Sequence, residues 1–367
     1  MVPCVADNNA QFLSLKVGES NTETLTGIPA LEAGKSYTYE LTVGKNKVVV
    51  TGITVKDWTT DKIINGVAEL DTRPYLTFKA EGEQTFKMVN NGYFPSNIEY
   101  SVNEGEWKNV VADQGVTFGG SNGTLRLRGT NSNGTATSDA NYSTISFTNS
   151  GVKVACTGDI RTLLDYRNYK TVDTQNAKFC NLFENCTALT FAPKLPAETL
   201  ASNCYSEMFS GCTNLNTAPS LPATKLAYWC YYGMFNDCSS LTEAPILPAE
   251  TLANGCYFYM FSGCKNLKTA PSLPATRLAR YCYHSMFRGC TNLTSVTMLA
   301  PRDQITSKER CCDDWLNNAG TSATARTLKV KDEAAYNALV DKSYLPNNWK
   351  KDAASTTVLG ENSNKIE

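Results

Sequence analysis

Fourteen cysteines and one histidine, His284, bound the chemistry open to this chain. Thiolates can act as nucleophiles, disulfide partners or soft-metal ligands. No Cys-x-x-Cys pair occurs, so a structural zinc site is not expected. A single histidine argues against Ser-His-Asp triads, three-histidine metal centres and histidine general bases. Gly34-Lys35-Ser36 ends like a phosphate-binding loop, but Pro29 stands where that loop needs glycine. A strand is also expected to follow it, where the motif requires a helix. Gly119-Gly120-Ser121-Asn122-Gly123 reads as a turn, since no helical pattern follows it. Glu207, Glu243, Asp313 and Asp314 are most simply solvated carboxylates. The residues therefore predict no catalytic group, no metal and no cofactor.

The elements that would position these side chains come from a repeat. Cysteines recur every 26 residues at 204, 230, 256 and 282, and again at 212, 238, 264 and 290. Leu200, Tyr205, Met208, Phe209, Pro193 and Pro196 start columns with the same step. Repeats of this length signal stacked supersecondary units. Within one unit, Leu226, Cys230, Met234 and Cys238 lie four apart, with Ala227, Tyr231 and Phe235 beside them. This spacing predicts a helix of about three turns with one apolar stripe. A short strand at Leu241–Ala244 and a Pro-rich turn complete the unit. On such a helix Cys230 and Cys238 would be about 12 Å apart, and neighbouring helices about 10 Å apart. A disulfide needs Cα atoms within about 7 Å. The repeat cysteines are therefore expected to be buried free thiols. Cys311-Cys312 is the least regular pair, where a cross-link is the alternative.

The pattern C-x-x-L-x-x-A-P-x-L-P-A-x-x-L-A-x-x-C-Y-x-x-M-F resembles the leucine-rich repeats of BspA-like bacterial surface proteins, over roughly residues 159–301. The first unit departs, with Leu182-Phe183 in the Met-Phe places, and so does the last, with Val296 and Met298. Ala155–Tyr169 and Leu316–Trp349 are read as caps, the second with a strand at Thr327–Val330 and a helix at Asp332–Leu339. Residues 27–39, closed by Trp58, resemble the C-terminal end of a fimbrillin-like module. The resemblance implies a surface or secreted location and a role in adhesion.

Ser36–Thr51 alternates around Gly44-Lys45-Asn46, which predicts a β-hairpin. Six short alternating runs follow, at Leu76-Phe78, Phe86-Met88, Ile98-Val102, Val116-Phe118, Leu125-Leu127 and Ile145-Phe147. They predict a β-sandwich, with Arg126 and Arg128 facing solvent. The expected fold is multidomain: an all-β N-terminal part followed by an α/β leucine-rich-repeat solenoid with caps. The expected divisions are 1–60 (partial fimbrillin-like), 61–150 (sandwich), 151–350 (solenoid, repeats 179–300, cap 301–350) and 351–367 (flexible tail).

Lys+Arg total 34 against 35 Asp+Glu, so the counterion release that drives nucleic-acid binding is not available. No apolar run is long enough for a transmembrane segment. Residues 1–10 carry no secretory signal, so a processed or truncated N-terminus is expected, the alternative being that Cys4 is an ordinary free cysteine. Repeat columns that vary from unit to unit should face outward. They place Tyr228, Trp229, Tyr232, Phe258, Tyr259, Tyr281 and His284 on the helical surface, either as a contact for a protein or glycan or as lateral packing between helices. The strand columns, Thr190 to Thr294 and Phe191 to Ser295, are mostly small and polar and suit a wet face. The expected function is non-enzymatic: adhesion or protein–protein interaction with a host or bacterial surface protein. The alternatives are a carbohydrate-binding module of a glycan-capture system and a minor pilus subunit.

Overall fold

The computed structural model describes residues 73–349, together with six strands between residues 13 and 70. Cys4, Trp58, the expected loop at Gly44-Lys45-Asn46 and the expected tail at 351–367 lie outside the described residues. The chain divides into two compact units, Met1–Arg73 and Pro74–Glu367.

The first unit holds β1 (Leu13–Val17), β2 (Asn21–Thr26), β3 (Ser36–Val43), β4 (Val48–Lys56), β5 (Asp61–Ile64) and β6 (Glu69–Leu70). β3 and β4 pair antiparallel as the expected hairpin, with Ser36 opposite Lys56. β5 pairs with β4. The expected division at 60/61 therefore cuts through a sheet, and the division falls at 73/74 instead.

The second unit is mostly β. Its strands are β7 (Leu76–Ala80), β8 (Gln84–Asn91), β9 (Ile98–Val102), β10 (Lys108–Asn109), β11 (Val116–Phe118), β12 (Leu125–Gly129), β13 (Ala136–Ser138), β14 (Asn141–Phe147), β15 (Val154–Thr157), β16 (Leu189–Phe191), β17 (Thr269–Leu273), β18 (Ser295–Met298) and β19 (Thr327–Val330). All six predicted runs form strands. One sheet runs β10-β9-β12-β7-β15-β16 and the other β11-β8-β14-β13. Their inner faces meet through Phe78, Phe86, Phe118 and Phe147, with ring centroids 5.4–6.4 Å apart.

Arg126 and Arg128 do not point to open solvent. Arg128 lies 4.2 Å from the Trp107 ring and 4.3 Å from the Tyr166 ring, and pairs with Glu99 at 2.7 Å. Arg126 lies 5.6 Å from the Trp107 ring. Alternation set these side chains on the outer face correctly. Rings from outside the strand then cover their apolar stems.

From β16 onward, a parallel ladder climbs one rung per 26-residue coil. Phe191 bridges Thr217, Thr217 bridges Glu243, and Glu243 bridges Thr269. β17, β18 and β19 continue the ladder in parallel register. The far side of each coil is not the predicted three-turn helix. It is a run of overlapping β-turns, with positive φ every fourth residue at Asn203, Glu207 and Gly211, and likewise at Trp229, Gly233 and Asp237. Even-numbered amides close i→i+3 turns, such as Cys204 N to Ala201 O at 3.2 Å. Odd-numbered amides cross to the next coil: Tyr205 N donates to Cys230 O at 2.8 Å and Phe209 N to Met234 O at 2.9 Å.

Coil spacing explains the difference. Phe183, Phe209, Phe235, Phe261 and Phe287 stack face to face with centroids 5.4–5.7 Å apart. Strands pack at about 4.8 Å, but helix axes need about 8–10 Å. A stack this tight on both sides has no room for helices, so the turn run lends alternate amides to its neighbour. An apolar period of four suits both structures, which is why spacing alone reads as helix.

All thirteen described cysteines are buried and free, Cys311 and Cys312 among them. The thiols of Cys212, Cys238, Cys264 and Cys290 donate to the carbonyls of Phe183, Phe209, Phe235 and Phe261 at 2.9–3.1 Å. Burial pushes Cys186 and Cys230 up to about 12 from an ordinary 9.0. The neutral thiol is therefore the folded form. This contribution to stability is complete below about pH 9 and falls as pH rises towards 12. A disulfide-specific thiol count is expected to find these cysteines unreactive in the native protein and all reactive in denaturant, with stability declining above about pH 9. Finding four or more disulfides among residues 204–290 would contradict this.

The sandwich closes one end of the stack. β15 pairs with β7 on one side and β16 on the other. On the opposite side, Ile145 N of β14 donates to Leu182 O at 2.7 Å, and Thr135 N to Lys178 O at 2.9 Å. Both sheets thus hold the first coil, and Phe78 meets Phe183 at 6.3 Å. One continuous buried cluster runs from Leu76 to Trp349, with no interruption at 150/151.

The other end is closed as the sequence predicts. β19 is followed by α2 (Glu333–Asp341), whose N-cap Asp332 accepts from Ala335 N at 2.7 Å. A short helix, α1 (Arg302–Ser307), precedes one more turn run, in which Tyr283 N donates to Cys311 O at 2.8 Å. Cys311 therefore continues the 204–282 column after a three-residue longer step.

Candidate binding interface

All seven residues singled out by column variation come together on the turn face. Tyr228 stacks on Trp229 at 4.7 Å, Trp229 meets Tyr232 at 5.1 Å, Tyr232 stacks on Phe258 at 5.4 Å, and Phe258 stacks on His284 at 4.4 Å. Tyr259 and Tyr281 flank this row, 4.6 and 6.0 Å from Phe258. The row crosses three coils because the turn runs lie directly over one another.

Exposure is uneven along the strip. Tyr228 is 48% exposed and the other rings are half-buried, except His284. His284 was expected at the surface but is only 7% exposed, because Phe258 covers its ring. Burial pulls its pKa below the ordinary 6.5, so the imidazole is neutral at pH 7. Its Nδ1 lies 2.9 Å from Ser285 Oγ, and its Nε2 lies 3.8 Å from Asp313. Ser285 is fully buried, so this Ser-His-Asp grouping offers no hydroxyl that a substrate can reach.

The residue type at the positive-φ steps sets the strip apart. Trp229, Tyr259 and Tyr281 hold φ of 54°, 56° and 57°. Bulky residues are rare there, and each such position costs about 1–2 kcal/mol. Asn203 and Gly255 fill the steps equivalent to Trp229 and Tyr281, and Gly233 the step equivalent to Tyr259, as residues suited to that conformation. Gly255 also makes room: a Cβ there would fall 2.3 Å from Trp229 Cδ1.

At the far end, Arg280 lies 4.7 Å and Arg310 5.4 Å from the Tyr281 ring. Arg280 pairs with Glu309 at 3.0 Å and Arg310 with Asp313 at 2.6 Å. Sequence reasoning missed the ion pairs that these four residues make. Glu309, Arg310 and Asp313 lie beyond the regular repeat, and only the longer final step brings them alongside.

The rings spend their faces on one another and on guanidinium groups. Tyr228 is the one exposed ring of the strip. Among the described residues, no group of three His, Cys, Asp or Glu converges to hold a metal, and no helix is long and apolar enough to cross a membrane. Comparison with known protein families, with characterised proteins and with solved structures returns no match for this chain.

Proposed function

We propose that this chain is a non-enzymatic recognition protein. Its coils form a BspA-like leucine-rich-repeat solenoid at the cell surface or outside the cell, and the aromatic strip contacts a partner protein. The observation that supports this most is the strained backbone under Trp229, Tyr259 and Tyr281. Strain kept at surface positions, where Asn or Gly would relax it, points to a use for the rings beyond folding. A protein partner suits the strip better than a glycan. Sugars pack on open ring faces, and of these rings Tyr228 alone is exposed. Tyrosine and arginine edges instead match the residues that dominate protein interfaces.

The test is binding of the full chain to immobilised host extracellular proteins and bacterial surface proteins, for wild type and for Trp229→Asn. Asn relieves the positive-φ strain while losing the stacking, and the two effects, each about 1 kcal/mol, roughly cancel. The variant is expected to melt within a few degrees of wild type yet bind at least about tenfold more weakly. Unchanged binding by Trp229→Asn and by Tyr228→Ser would overturn the reading.

A further inference from the structure

The strand side of the stack carries a second feature, distinct from the aromatic strip. Thr242, Glu243, Ala244, Lys268, Thr269 and Ala270 line an open groove of about 540 Å³. Glu243 and Lys268 are exposed, and neither is in an ion pair among the described residues. Thr242 and Thr269 add hydroxyls, and the alanines keep the floor low. Two rungs down the same ladder column, through Thr217, stands Phe191. It is 48% exposed, and no aromatic ring packs on it among the described residues. Phe191 is thus as exposed as Tyr228, and unlike Tyr228 it has no ring stacked on it among the described residues.

We infer that the strand face from Phe191 to Lys268 binds a neutral, extended β-1,4-linked oligosaccharide. Three features select this ligand class. The carboxylate and the ammonium cancel in charge, yet each can hold sugar hydroxyls by charge-assisted hydrogen bonds, which favours a neutral polyol over an anion or a cation. An open ring face with polar groups beside it suits the apolar face and hydroxyl rim of a pyranose. The rungs are about 4.8 Å apart, and a β-1,4 chain advances by about the same step per sugar. One sugar on Phe191 therefore places a unit two or three residues along over the groove.

The experiment is calorimetric titration of the full chain with cellotetraose and with chitotetraose. The expected result is saturable binding of at least one of them, weakened about tenfold by Phe191→Ala and by Glu243→Ala. Lys268→Gln serves as a milder second variant of the groove. All are surface changes, so near-ultraviolet circular dichroism should match wild type. Trp229→Asn should leave sugar binding unchanged, which separates this site from the protein contact. No binding of either sugar at millimolar concentration would overturn the inference. So would binding that is indifferent to Phe191, Glu243 and Lys268, or binding lost only in Trp229→Asn.

Discussion

Gly158→Ala is expected to destabilise the sandwich and the coils together, by about 4 kcal/mol. Gly158 has φ of 94°, and an added Cβ would fall 2.0 Å from the backbone oxygen of Tyr75. A backbone atom cannot rotate away as a side chain can. Relief requires moving the start of β7 or the turn after β15. Both carry the junction: Asp159 N donates to Pro74 O at 2.8 Å, and Lys194 N donates to Gly158 O at 2.9 Å. The first bond holds the sandwich and the second holds the first coil. Moving Gly158 strains both, and denaturant unfolding should show one transition at a lower midpoint.

Phe235→Ala is expected to cost about 3–5 kcal/mol. Phe235 is fully buried at the centre of the five-phenylalanine stack, 5.7 Å from Phe209 and 5.5 Å from Phe261. Removing it leaves a cavity that tight stacking cannot close, because the coils on either side are tied by amides crossing at 2.9 Å. Coils contact only their neighbours. The loss should therefore appear first in the hydrogen exchange of Phe209 and Phe261 and their coils, read by mass spectrometry alongside the melting temperature. A loss under 1 kcal/mol would mean that the stack is looser than it is drawn here.

The sequence made the core columns legible because burial is set by coil phase. Leu215, Met234, Phe261 and Cys290 are fully buried at the positions their 26-residue spacing assigns. The strand at Thr327–Val330 and the helix beginning after Asp332 were legible from alternation and a capping aspartate. The backbone of the turn face was not, since a four-residue period does not distinguish a helix from paired turns. The signal lay at the positive-φ steps, many of which hold poor helix formers: Asn181, Asn185, Asn203 and the glycines at 211, 233, 255, 263 and 289. The gathering of the seven candidate residues was legible from column variation. The burial of His284 was not, because it depends on Phe258 in the preceding coil. The merging of sandwich and stack was hidden for a different reason. Bonds such as Ile145 N to Leu182 O join segments with no repeat or shared pattern.

Sandwich and coils are one folded body with one interior. Native-state hydrogen exchange on wild type and Gly158→Ala tests it most directly, by comparing amides of β8 with amides of Tyr257 and Phe261. Protection at both places is expected to fall by the same factor in the variant. Loss of protection in β8 while Tyr257 and Phe261 keep their wild-type values would contradict it.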